Sequence, residues 1–232
     1  MQGNAQRVSV QTNILSANQQ VALGNRELFE SLRLLVMNLM SAPGAGKTTL
    51  LEATIQAIEG QYRVAVIEGD LQTDLDAQRI RALDVPSHQI TTGTVCHLDA
   101  RMIYRALEVF PIKELDLLVI ENVGNLICPA SFDLGEGLRV VVCSVAEGAE
   151  KPRKYPVMFH RADVVLVNKI DLAEASGVNL EELMANVRDV NPTATLFALS
   201  ARTGEGMKAW TEWLRQAVGR QRIEDSEMLV RS

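Results

Sequence analysis

The sequence predicts an α/β fold with a mostly parallel central sheet flanked by helices, and three observations carry that expectation. Short, predominantly apolar runs recur along the 232 residues and alternate with helix-compatible stretches. Buried parallel strands read this way, because helices cover both faces of the sheet. One such run, Leu34–Met40, leads directly into a glycine-rich segment, SAPGAGKTT, Ser41–Thr49. Another, Val164–Val167, leads into the polar tetrapeptide NKID, Asn168–Asp171. Loops at the carboxyl ends of strands are where open α/β sheets bind ligands.

The elements follow in order. Residues 1–14 are mostly polar and read as a flexible N-terminal arm. From Ser16 to Leu32, Val21, Leu23, Leu28 and Leu32 fit a helix that packs beside the first strand, Leu34–Met40. The run after the glycine-rich segment, Leu50–Ile58, is helix-compatible. Further strands are expected at Tyr62–Ile67, Leu115–Ile120, Leu138–Cys143, Val164–Val167 and Leu196–Leu199. Helices are expected at Leu98–Glu108, Leu180–Val190 and Gly206–Val218. Residues 15–220 thus read as one domain, and 221–232 as a charged C-terminal tail.

Composition narrows the function. Hydrophobic residues make up 47%, enough for a sizeable core, and the formal net charge is −6. That balance argues against a general nucleic-acid or anionic-membrane surface. No apolar run approaches the roughly 20 residues that span a bilayer, and the N-terminus lacks the basic and apolar pattern of an export signal. Three cysteines, Cys96, Cys128 and Cys143, are an odd, sparse set that fits thiols better than a disulfide framework. The cytoplasm is the expected compartment.

SAPGAGKTT carries phosphate chemistry. Glycines let successive backbone N–H groups curl around phosphate oxygens, and the following helix presents its positive end to the same charge. The usual pattern GxxxxGK[ST] places glycine at position 41, where this chain has Ser41. Gly44, Ala45, Gly46, Lys47, Thr48 and Thr49 keep the phosphate-facing half intact, with Lys47 expected on the β- and γ-phosphates and the Thr48 hydroxyl on Mg2+.

NKID names the base. A carboxylate at Asp171 accepts from the ring N–H and exocyclic amine of guanine, whereas adenine offers an acceptor at the equivalent ring nitrogen. Asn168 is expected to brace the loop and Lys169 to lay its stem along the base. Ser200, Ala201 and Arg202 follow the next strand and resemble the SAK-type loop of GTPases, whose backbone donors meet the guanine oxygen. The domain therefore reads as a GTPase that binds GTP and GDP.

Magnesium and hydrolysis need carboxylates near the γ-phosphate. Glu68 and Asp70 end one strand and are followed by Asp74 and Asp76, and Glu121 ends another. Glu121 stands at the Walker B place and is assigned to Mg2+, and Asp70 and Asp76 are candidates for metal coordination or for orienting the attacking water. Asp74 reads as a solvated loop charge. No glutamine or histidine occupies an obvious water-positioning place, so intrinsic turnover is expected to be slow unless dimerisation or a partner completes the site.

A second metal site is suggested by Cys96 and His97 in TGTVCHLDA, Thr92–Ala100, and Cys128 in ENVGNLICPA, Glu121–Ala130. Adjacent residues share a metal only in a loop or at an element end, and Gly93 makes a loop plausible. Two thiolates and an imidazole suit zinc, nickel(II) or copper. The plain alternative is cysteine as a small buried residue, which fits Cys143 in its strand well. His88 and His160 read as surface or boundary residues. Three ligands leave an ion incomplete, so water or a second subunit would supply the rest.

Taken together, SAPGAGKTT, VIEGDLQTDLDAQRI (Val66–Ile80), TGTVCHLDA, VIENVGNLICPASFDLGE (Val119–Glu136), EKPRKYP (Glu150–Pro156) and NKIDL resemble the HypB family, GTPases that help insert nickel into [NiFe]-hydrogenase. The likeness runs in order from about Leu34 to Gly206. It implies a SIMIBI-class P-loop G domain, a GTP-dependent homodimer, and Cys96, His97 and Cys128 as a nickel or zinc site near the dimer interface. It also implies that Lys154 reaches the partner subunit's nucleotide, and that a HypA-like nickel chaperone and the hydrogenase large-subunit precursor are partners. Many members carry a further N-terminal metal motif. No cysteine or histidine precedes His88 here, so that site is expected to be absent. The urease-accessory GTPases of the same class carry a CPH motif, unlike the CH and separate Cys128 of this chain. A small-molecule P-loop kinase would share the phosphate cradle but not NKID, and a dimeric scaffold with a structural metal is the remaining alternative.

Overall fold

The computed structural model describes residues 2–70 and 75–223, with side chains described for residues 13–70 and 76–222. Seven strands form one all-parallel sheet in the order β3-β2-β4-β1-β5-β6-β7. They are β1 (Leu35–Ser41), β2 (Val64–Asp70), β3 (Ser87–Thr91), β4 (Leu117–Glu121), β5 (Leu138–Ser144), β6 (Val164–Asn168) and β7 (Thr195–Ala198). The helices are α1 (Gln2–Ser31), α2 (Lys47–Ile58), α3 (Leu75–Arg81), α4 (Ala100–Ala106), α5 (Lys151–Lys154), α6 (Pro156–His160), α7 (Leu180–Val190) and α8 (Met207–Ile223).

Alternation along the strands divides the core between two faces. Leu35, Met37 and Leu39 of β1, Val64 and Val66 of β2, and Leu117 and Val119 of β4 pack under α2 and α8. There Trp210 is buried, donates from Nε1 to Thr54 Oγ1 at 3.0 Å and stacks on Trp213. Val36, Ala65, Ile67, Leu118 and Ile120 face the other way, against α1 and α4. Val141, Cys143, Val165 and Val167 continue that second face under α6 and α7. Each fully buried Leu, Ile or Val contributes about 1.5–3 kcal/mol of transfer free energy, so this two-sided burial explains the near-continuous apolar strands.

Several expectations shift. α1 is helical from Gln2, so residues 2–14 of the stretch read as an arm are part of the helix, while Met1 lies outside the described residues; the first proline of the chain is Pro43, and nothing before it forces a break. α8 runs to Ile223, past the domain boundary placed at 220, while residues 224–232 lie outside the described residues. β3 was not anticipated, because Ser87–Thr91 is a half-buried edge strand without an apolar run. α4 is shorter than Leu98–Glu108: the Asp99 side chain accepts from Met102 N at 2.7 Å and starts the helix at Ala100. Cys143 is buried and His160 exposed, as expected. His88 lies on β3, half-buried, with its ring edge-on to Phe110. Among the described residues, no helix is long and apolar enough to cross a membrane.

Candidate nucleotide and metal sites

The carboxyl ends of β1, β2, β4 and β6 open onto one cavity of about 850 Å3. Ser41 ends β1, and the chain then turns through Gly44 and Gly46, both at positive φ, into α2. Gly46 sits at φ 94°, and a β-carbon there would lie 2.8 Å from Asn168 Nδ2. Glycine is therefore required twice over, by backbone angle and by the approach of the β6 loop. The departure at Ser41 acquires a reason as well. Its buried hydroxyl accepts from Lys47 Nζ at 3.0 Å, holding the ammonium over the loop.

The β6 loop is braced against this turn. Asn168 donates from Nδ2 to the Ala45 carbonyl at 2.9 Å and accepts from Ala201 N at 3.1 Å, linking three segments. Lys169 adopts a left-handed conformation, φ 63°, and donates to the Gly44 carbonyl at 2.6 Å. Asp171 accepts from Arg202 at 2.7 Å through Oδ2, while its buried Oδ1 takes no well-aligned hydrogen bond. The Ser200 hydroxyl and then Arg202 hold its carboxyl below the ordinary aspartate range, so it is ionised and ready to accept. Ala201 lines the cavity and Ser200 is fully buried behind it.

The acidic residues gather on the α2 face. Glu68 and Glu121 are register partners on β2 and β4, and both are buried. Thr48 Oγ1 donates to Glu121 Oε1 at 2.9 Å, placing the loop hydroxyl and the strand-end carboxylate where one Mg2+ can be shared. Glu68 Oε1 and Glu121 Oε2 are buried with no protein donor, a surplus of acceptor oxygen that suits a hard cation. Burial, then the neighbouring Glu121 charge, pushes the Glu68 carboxyl up to about 9, and burial likewise raises Glu121. Asp76, in the first turn of α3, and Asp70 line the same cavity.

Of the residues expected around nucleotide, Lys154 alone stands apart: it is exposed and paired with Glu150 at 2.8 Å. Three residues were not assigned. Glu68 gains its weight from lying buried and in register beside Glu121, which its place in the sequence does not reveal. Arg79 lies three residues after Asp76 on α3 and binds Thr49 Oγ1 at 3.1 Å and Glu52 at 2.5 Å; its i,i+3 spacing from Asp76 was the available signal. Gly124 packs so closely on Pro43 that a β-carbon would lie 3.1 Å from Pro43 Cα. Asp74 lies outside the described residues.

Cys96, His97 and Cys128 do converge. They sit in the loops following β3 and β4, half-buried, with one ligand atom from each inside a mutual 4.8 Å. The two sulfurs are 2.9 Å apart. That contact, with burial second, raises the Cys128 thiol, while burial lowers His97 and keeps the imidazole neutral. His97 stacks on Phe132 with ring centroids 3.8 Å apart, and its Nδ1 is buried without a partner. Two soft sulfurs, a neutral ring and an unsatisfied nitrogen form a donor set for zinc or nickel. Val95 and Ile127, beside these ligands, are exposed apolar side chains.

Comparison with known proteins agrees with this geometry. The CobW/HypB/UreG nucleotide-binding domain matches residues 35–198. The hydrogenase maturation factor HypB of Azotobacter chroococcum mcd 1 is 50% identical over 91% of this chain and 70% of its own length. The HypB of Escherichia coli K12 is 48% identical over 91% of this chain and 74% of its own length. A crystal structure of HypB from Helicobacter pylori in complex with nickel superposes with a TM-score of 0.83 at 37% identity, covering 90% of this chain and 96% of that one. The chain belongs to the CobW/HypB/UreG family of P-loop nucleotide-binding proteins, in its HypB branch of hydrogenase maturation factors.

Proposed function

We propose that this protein is a GTP-hydrolysing, metal-delivering regulator of [NiFe]-hydrogenase maturation in the cytoplasm, and that it couples nucleotide state to a nickel or zinc site. The observation that carries this is the shared loop after β4. It begins at Glu121, bound to Thr48, and seven residues later supplies Cys128 to the sulfur pair. A rearrangement of that loop around a γ-phosphate would therefore move a metal ligand.

In this reading Lys47 leaves Ser41 for the β- and γ-phosphates, and Asp171 and Ala201 select guanine. Thr48, Glu121 and Asp76 hold Mg2+, which supplies charge neutralisation at the phosphates. Glu68 or Asp70 orients the attacking water, whose addition to the γ-phosphorus releases GDP and inorganic phosphate. With no glutamine or histidine among the described residues that line the cavity, slow turnover is expected of the isolated protomer. GTP favours a homodimer in which Lys154 reaches across to the partner subunit's nucleotide and the exposed Val95 and Ile127 are covered. A HypA-like chaperone and the hydrogenase large-subunit precursor are the donor and acceptor of the metal.

The test measures nickel and zinc affinity together with dimer mass, each with GDP and with a non-hydrolysable GTP analogue, in wild type and Cys128→Ala. A metal affinity that differs between nucleotide states by about fivefold or more is expected, and Cys128→Ala removes the tight site in both. Equal affinity in the two states would end the switch reading.

A further inference from the structure

Glu121 ends β4 and Asn122 follows it with its N–H still donating to the Leu39 carbonyl at 2.9 Å, so their side chains leave opposite faces of the sheet. Glu121 points to the α2 face and holds Thr48. Asn122, 1% exposed, points to the α1 and α4 face and holds the other site. Its Oδ1 accepts from Leu98 N at 3.2 Å and from Val123 N at 2.9 Å, and its Nδ2 donates to Asn38 Oδ1 at 3.2 Å. Leu98 directly follows His97.

The chain of bonds continues. Asn38 Nδ2 donates to Glu136 Oε1 at 3.2 Å, and Glu136 Oε2 accepts from Leu134 N at 2.7 Å. Leu134 lies two residues beyond Phe132, the ring on which His97 stacks. One buried network therefore holds the backbone just beyond each partner of that stack, at Leu98 and Leu134, and its hub is the residue after Glu121. The Leu98 side chain adds a second footing. It packs on Gly69, between Glu68 and Asp70, so closely that a β-carbon there would lie 2.8 Å from Leu98 Cδ1.

From the far side, among the described residues, α1 holds the start of α4, just beyond that loop. Ala100 N donates to Asn18 Oδ1 at 2.8 Å, and Asn25 Nδ2 donates to the Ala100 carbonyl at 2.9 Å. These bonds touch no nucleotide-facing element.

We propose that Asn122 is the positioning residue that transmits the state of the β4 strand end at Glu121 to the Cys96–His97 loop, with Asn38 and Glu136 carrying the same displacement to Phe132. This rests on the nucleotide-coupled metal site proposed above. Buried hydrogen-bonded networks have few alternative arrangements, so a shift of the strand end repositions the loop as a unit rather than being absorbed locally. Asn18, which also donates to the Asp133 carbonyl at 2.8 Å, anchors the same region from α1 without a bond to β4.

Nickel affinity of the full chain is measured by competition titration with GDP and with a non-hydrolysable GTP analogue, in wild type, Asn122→Ala and Asn18→Ala. Analogue affinity and melting temperature are recorded alongside. Asn122→Ala is expected to bring the ratio of the two nickel affinities to within about twofold of one, against a typical coupling of about 5- to 150-fold. Asn18→Ala is expected to weaken nickel in both states while keeping the wild-type ratio. A wild-type ratio retained in Asn122→Ala overturns the proposal. Loss of the ratio in both variants also overturns it, since the network would then matter only for loop order. A ratio of one in wild type instead refutes the underlying switch. If Asn122→Ala does not fold, Asn122→Ser, too short to bridge Leu98 and Asn38, is read against the same outcomes.

Discussion

Glu68 and Glu121 stand side by side on adjacent parallel strands, both buried and both facing the nucleotide loop. Neither is neutralised by a direct ion pair among the described residues. Burial raises both carboxyls, and the neighbouring Glu121 charge adds to the rise of Glu68, to about 9. The folded, ligand-free protein thus holds protons that the unfolded chain loses near the ordinary glutamate value. Stability should therefore fall as pH rises from the ordinary carboxylate range towards 9. Melting curves from pH 6 to 9 without nucleotide are expected to show that decline, and Glu68→Gln to flatten it. Parallel curves for the two proteins would refute the assignment of that decline to Glu68.

Metal loading should reverse the effect. A divalent ion favours the ionised carboxylates, so Mg2+ with nucleotide should expel protons at pH 7.5. Titration calorimetry in buffers of different ionisation enthalpy checks this, with net proton release expected for wild type and less for Glu68→Gln.

Base choice should follow Asp171. Its Oδ1 takes no well-aligned hydrogen bond within the chain, and replacing it would leave a guanine donor poorly paired. Asp171→Asn is expected to weaken GTP binding by roughly 10- to 100-fold. Because an amide can donate where a carboxylate cannot, the variant should gain affinity for xanthosine triphosphate, which carries a carbonyl in place of the guanine amine. Fluorescent-nucleotide displacement distinguishes the outcomes; unchanged GTP affinity would remove Asp171 from the base site.

Gly46 offers a purely steric check. Alanine there meets Asn168 Nδ2 at 2.8 Å and must hold φ 94°, a strain on the order of 1–3 kcal/mol. Gly46→Ala should lower the melting temperature and abolish nucleotide-induced stabilisation. If GTP still stabilised the variant as it does wild type, the tight Gly46–Asn168 contact would not govern the loop.

What could be read in advance depended on how local the chemistry is. The phosphate loop and NKID are contiguous in sequence, so a role could be read for each residue from its neighbours, and Lys47, Thr48, Asn168 and Asp171 line one cavity. Glu68 was harder, because its weight comes from lying in register with Glu121, a pairing across strands that no linear spacing encodes. The Cys96, His97 and Cys128 cluster is suggested by residue type, but the contacts around it, His97 stacking on Phe132 and Asn122 reaching Leu98, are not. Those contacts join loops from different strands. β3 escaped notice for a related reason: Ser87–Thr91 is held by pairing to β2 rather than by an apolar face of its own.

The thiol pair sets the pH response of the metal site. Cys96 and Cys128 lie 2.9 Å apart, and their contact, with burial, keeps the Cys128 thiol above its ordinary range. In the metal-free protein that thiol is therefore protonated at neutral pH, while burial holds His97 neutral. Metal binds the thiolate and must displace the proton. Affinity for zinc or nickel is thus expected to rise with pH between about 6.5 and 8.5, the rise coming from sulfur rather than from the imidazole. Competition titrations with a chromophoric chelator across that range would show the slope, and Cys128→Ser should lower both affinity and slope. His97→Gln should lower affinity while leaving the slope, since that ligand releases no proton. An affinity independent of pH would mean that the two sulfurs are not the ligands.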